Sequence, residues 1–117
     1  MAARRPSGYV PERGDLVWLD FTPHAGHEQA GRRPALVLSP RAYNAKAALI
    51  VACPITNQVK GYPFEVILPP GGAASGAVLS DHVKSIDFRA RRAELMGRAP
   101  DSVVNEVMAK LTALLSP

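Results

Sequence analysis

Cysteine is almost missing from this chain of 117 residues: Cys53 stands alone, so no disulfide can form within it. A chain of this length has to hold itself together by burial, and folding at this size covers roughly two-thirds of the surface that the unfolded chain exposes. Histidines are few as well. His24 and His27 share one polar stretch and His82 follows Asp81, a distribution without the ligand count or spacing of a zinc site, so neither a metal nor another cofactor is expected. Long apolar runs are also lacking. The longest, Ala47 to Ile55, is broken by Pro54 and falls far short of the roughly 20 residues that span a bilayer. The basic N-terminal "MAARRPSGY" leads into no apolar core of the kind a secretory signal has, so a soluble cytoplasmic protein is expected. Ser39, Ser80 and Ser85 lack the glycine context of a nucleophile elbow, which argues against a serine hydrolase.

What the chain does have is frequent punctuation. Eleven prolines and nine glycines favour short strands and turns over a helical bundle, and 47% hydrophobic against 21% charged residues fits one globular domain over 1–117, with 1–8 as a flexible arm. "DLVWLDF" alternates as a half-buried strand, with Leu16, Trp18 and Asp20 on one side, and Trp18 is expected in the core. "TPHAGHEQAGRR" is a long polar loop, "PALVLS" a second strand and "PRAYNAKA" a turn or a single helical turn. "ALIVACPI" reads as a central strand with Cys53 in the core. "FEVIL", "AVLSDHVKSIDF" bent near Ser80, and "AELMGR" supply further strands. Only the tail is helical: Val104, Val107, Met108, Leu111, Leu114 and Leu115 recur at helical spacing after Pro100 and Asp101. Short strands with one amphipathic helix predict a mainly β fold, a small SH3-like or half-open barrel.

Charge is the remaining puzzle. A net charge of +4 and a pI near 9.6 point towards polyanions. In "EQAGRRPALVLSP", Arg32 and Arg33 stand directly before Pro34, where a strand begins. A guanidinium stays protonated and offers a rigid fork of donors that fits phosphate, so arginines at a strand edge can grip a nucleic-acid backbone and stabilise a reacting phosphate. Taken alone, two arginines in a loop are equally well explained as a solvated pair. Thr56 and Asn57, the polar break after the apolar strand, are a turn or a pair of ligand-contacting groups.

The ordered series "GDLVWLDF", "GHEQAGRRPALVLSP", "YN", "CPIT", "KGYPFEV" and "SDHVKSIDFRAR" with the closing helix resembles the MazF/PemK-like endoribonuclease toxins of type II toxin-antitoxin systems, from Tyr9 to about Leu115. "EQAGRRP" and "KGYPFEV" are most similar to the MazF branch. The resemblance implies a β-barrel-like homodimer that cleaves single-stranded RNA without metal at a short, ACA-like motif. The ribose 2′-hydroxyl attacks, leaving a 2′,3′-cyclic phosphate and a 5′-hydroxyl, and a cognate MazE-like antitoxin inhibits the reaction. It implies catalytic parts for Arg33, Thr56 and Glu28, with Arg33 stabilising charge rather than acting as a base, since its pKa exceeds about 12. Gln29, Arg32, Asn44, Asn57, Lys60, Tyr62, Asp81, Lys84 and Arg89 are the expected RNA contacts. Asp81 matches an acid implicated in catalysis in the PemK branch. Aromatic stacking of splayed bases would draw on Trp18, Phe21, Tyr43 and Tyr62. A different class is a toxin of similar fold that binds DNA gyrase and performs no chemistry.

Overall fold

Apolar residues on both sides of the same strands decide the architecture. In β1 (Asp15–Asp20) Leu16 faces one way and Val17 and Leu19 the other, and all three are buried. β2 (Arg32–Val37) repeats the pattern with Leu36 against Ala35 and Val37, and β3 (Ile50–Thr56) with Cys53 and Ile55 against Ile50 and Ala52. A sheet of this kind must be covered twice. The computed structural model, which describes residues 8–21 and 31–117, covers one face with α2 (Asp101–Leu115) and the other with Ile86, Phe88 and the segment around Tyr9 and Val10. Apart from Gly8, the expected N-terminal arm lies outside the described residues.

The strands form one antiparallel sheet in the order β4-β5-β3-β2-β1-β7, open at both ends of that path. Its edges are β4 (Glu65–Ile67), next to β5 (Ala77–Leu79), and β7 (Glu94–Arg98), while β6 (Lys84–Ile86) pairs with β3 off the main path. The mainly β fold with a C-terminal helix agrees with the sequence, as an open sheet. β3 changes neighbour along its length, pairing Ile50 to Ala52 with β6 and Ile55 and Thr56 with β5. Pro54, which has no N–H to offer, stands where the change occurs.

α2 begins after Pro100, carries Asp101 in its first turn where the helix dipole favours a negative charge, and buries Val103, Val104, Val107 and Leu111. Each such side chain contributes roughly 1.5–3 kcal/mol on full burial. Leu114 and Leu115, expected in the same stripe, are exposed.

Three local expectations need correction. Both arginines of the RRP motif belong to β2 and do not precede it. "RAYNAKA" forms a helix of seven residues, α1 (Arg41–Ala47), longer than a single turn. Trp18 is not in the core: it is the exposed position of β1, because the sheet is left uncovered at that end.

Candidate active site

The pairing of β2 with β3 sets Ala35 opposite Pro54. Continued by two residues along antiparallel strands, that register puts Arg33 opposite Thr56, and residues directly opposite share a face. The β2–β3 ladder ends at the Ala35–Pro54 pair, so Arg33 and Thr56 lie just beyond its last bridge. At this end of the sheet lies a cleft of about 590 Å³ lined by Arg33, Thr56, Asn57 and Gln58, with Trp18, Met96 and Ala74 as its apolar wall.

Thr56 ends β3, and its Oγ1 accepts the Gln58 amide at 3.0 Å, which fixes the turn that follows. Behind it stands Gly76, with φ at +101°. A Cβ there would collide with the Thr56 carbonyl, so only glycine lets the β4–β5 connection pack against the Thr56 backbone. A smaller hollow of about 150 Å³ adjoins on the other side of Thr56 and Gln58, lined by Lys60, Tyr62, Glu65 and His82. Glu65, buried, accepts the amides of Lys60 (3.1 Å) and Gly61 (2.8 Å) and so shapes the KGYP loop. The Lys60 ammonium stands 6.0 Å from the Tyr62 ring, and Tyr62 is exposed.

The other expected residues divide. Asn57 joins Arg33 and Thr56 in the cleft. Glu28 and Gln29, like His24 and His27, lie outside the described residues. Arg32 is held by the protein itself. Its Nη1 donates to Asp20 Oδ1 at 2.8 Å, and its Nη2 to the Arg92 carbonyl at 3.0 Å and Glu94 Oε1 at 3.3 Å. It forms part of the cleft wall with its charge already matched. Asn44 is fully buried. Its amide donates to the carbonyls of Pro11 (2.8 Å) and Ser39 (3.0 Å), and its Oδ1 accepts the Ser39 hydroxyl at 2.6 Å, so it locks α1 to the N-terminal segment instead of meeting RNA. Asp81 lies in a 3-10 turn (Ser80–His82) at 3.9 Å from the His82 ring nitrogen, outside the residues lining the cleft. Lys84 is exposed with its ammonium 5.6 Å from the Phe21 ring, and Arg89 lies over Phe88 at 4.8 Å beside a third hollow; the cleft reaches neither.

Gln58, Ser75 and Met96 also line the cleft, although no motif or spacing singles them out. Gln58 directly follows the noted Thr56 and Asn57. Ser75 sits in a glycine-rich turn whose composition suggests only flexibility. Cys53 is buried as expected, and burial, with the nearby Asp81 charge second, pushes its thiol up to about 12, far from a nucleophile's range. Among the described residues no helix is long and apolar enough to cross a membrane.

This arrangement can hold a phosphate between a guanidinium and a hydroxyl, with planar and amide groups alongside for bases. The chain is 49% identical to the endoribonuclease toxin MazF of Escherichia coli K12 over 109 residues, 93% of this chain and 97% of that protein. It superposes on the crystal structure of MazF from Deinococcus radiodurans with a TM-score of 0.83 at 61% identity, covering 92% of this chain and 97% of that one. The MazE–MazF complex from the same organism matches with a TM-score of 0.83 at 55% identity over the same shares. A family model described as PemK-like, MazF-like toxin of type II toxin-antitoxin system covers residues 12–115, and the chain belongs to that family.

Proposed function

We propose that this chain is an endoribonuclease toxin that cuts single-stranded RNA at a short, ACA-like motif. The observation that carries the reading is the cleft beyond the end of the β2–β3 ladder, which Arg33 and Thr56 both line. In the proposed reaction the ribose 2′-oxygen forms a bond to phosphorus as the bond to the 5′-oxygen breaks, giving a 2′,3′-cyclic phosphate and a 5′-hydroxyl. Arg33 carries the charge that gathers on the non-bridging oxygens, and Thr56 donates to the same phosphate. Protons leave the 2′-oxygen and reach the 5′-oxygen by general catalysis, for which Glu28 is the candidate. No metal or cofactor takes part.

Asn57 and Gln58 at the cleft edge suit base recognition, and exposed Trp18 and Tyr62 suit stacking. Lys60, Lys84 and Arg89 are proposed as contacts to flanking phosphates, whereas Arg32 serves the wall. Asp81 has an outer role at most, next to His82. By likeness to the D. radiodurans MazE–MazF complex, the toxin is proposed to pair with a MazE-like antitoxin. It is proposed to work as a homodimer on cytoplasmic mRNA, so that translation stops. Incubation with single-stranded RNA in EDTA tests the reading. New 5′-hydroxyl ends are expected, and their loss when the nucleotide 5′ to the scissile bond is deoxy. Retention of intact RNA, or indifference to RNA with binding to gyrase, would overturn it.

A further inference from the structure

Arg92 adopts φ of +53°, a conformation that residues other than glycine seldom take. Such an outlier persists where its surroundings hold it, and here they are specific. Arg92 Nε donates to Asp20 Oδ2 at 2.7 Å, while Arg32 takes Asp20 Oδ1 and the Arg92 carbonyl. Arg91 adds bonds from its guanidinium to the carbonyls of Asp20 and Phe21, and its own carbonyl accepts the Asp20 amide at 2.9 Å. Phe21 in turn donates to the Gly31 carbonyl at 3.0 Å. Every tie converges on the point where β1 ends and β2 begins.

That point needs holding. Through Arg32, Arg33 and Pro34, β2 is paired with β1 alone, since its ladder with β3 begins only at Ala35. A strand end paired on one side frays easily. Fraying would move Arg33, the next residue after the tied Arg32.

We infer that Arg92 is a positioning residue: through Asp20 and Arg32 it fixes the end of β2 from which Arg33 enters the cleft. Its importance for catalysis rests on the ribonuclease reading, but the clamp itself can be measured without RNA. Arg92→Gly suits the backbone at this site and removes the guanidinium; Arg92→Lys keeps the charge. Amide exchange at Phe21 is expected to quicken about tenfold in Arg92→Gly while Val17 and Val37 keep the parent rate, with Arg92→Lys in between. Cleavage by Arg92→Gly is expected to lose about ten- to a hundredfold in kcat with KM near the parent value, as a displaced catalytic group would cause. In an Arg33→Lys background the same substitution should cost little more, since the group being positioned is already altered. Parent exchange at Phe21 in Arg92→Gly would overturn the clamp. So would a rise in KM alone, which marks a direct RNA contact, or a kcat loss as large in the Arg33→Lys background. A parent protein that cuts no RNA would instead sink the ribonuclease reading, leaving the exchange result to decide the clamp.

Discussion

Two adjacent arginines on one strand show how little residue type says about role. Arg32 sits between Asp20 and Glu94 and serves the fold, while Arg33, one step along, is the more exposed of the two in the same cleft. Arg33→Ala should therefore keep the parent melting temperature and lose cleavage by about a hundred- to a thousandfold, the worth of roughly 2.7–4 kcal/mol of transition-state contact. Single-turnover kinetics on a folded variant check it; near-parent rates would remove Arg33 from the reaction. Asn44 presents the reverse case. Its amide satisfies three buried partners, so Asn44→Ala leaves them unpaired and should cost about 2–3 kcal/mol in urea unfolding. The folded fraction should cleave with the parent kcat. A stable Asn44→Ala protein with a raised KM would return Asn44 to the RNA surface.

The strands themselves were largely legible in the sequence, because alternation in DLVWLDF and the apolar run through Cys53 follow directly from burial on a pleated surface. What alternation could not say is where the covering stops, and so Trp18 reads as core from its spacing although it is exposed at the cleft. The Arg32–Glu94 contact joins residues 62 apart in sequence, and no local pattern encodes it. A shared site for Arg33 and Thr56 was suggested only through resemblance; that both line one cleft came from the structure. Glycine-rich PPGGAASG illustrates the same limit, since composition suggests slack where the structure has a tight fit of Gly76 against Thr56. Gly76→Ala adds a Cβ at positive φ against backbone, strain that typically costs about 1–3 kcal/mol and more where, as here, the neighbour must also move. The variant should lose both stability and kcat, as Thr56 is displaced with its strand. Thermal melts and single-turnover rates measured together check this, and unchanged kcat in the folded variant would show that Thr56 tolerates the shift.

Across the whole molecule, electrostatics link folding to binding. Hydrogen bonding from Arg92, then Arg32, holds the Asp20 carboxyl below its ordinary value of 3.8 despite the opposing cost of desolvation. A carboxyl depressed on folding contributes stability that is complete above 3.8 and is lost as pH falls below it, when the native state must take up protons. Asp20→Asn should flatten the acid limb of a stability-against-pH curve; an unchanged limb would assign acid sensitivity to other groups. The same pairing reshapes the field that RNA meets. The Arg32 and Arg92 cations are offset by Asp20 and Glu94 and add nothing to the net charge of +4, and Arg33, Lys60, Lys84 and Arg89 are the proposed phosphate contacts. If these four are engaged, the affinity for a non-cleavable single-stranded RNA should fall with salt at a logarithmic slope of about −3, and Arg33→Ala should make the slope shallower by about 0.7. Arg32→Ala should weaken binding by another route, because it frees Glu94 and leaves Asp20 to Arg92 alone beside the cleft. A disordered acidic antitoxin segment would be drawn to the same cations and would order on contact. Titrated into the toxin with the non-cleavable RNA bound, an acidic antitoxin peptide should displace the RNA, less effectively for Arg33→Ala. Simultaneous binding of RNA and peptide at full affinity, indifferent to that substitution, would locate inhibition at a separate surface and leave the cationic cleft to RNA alone.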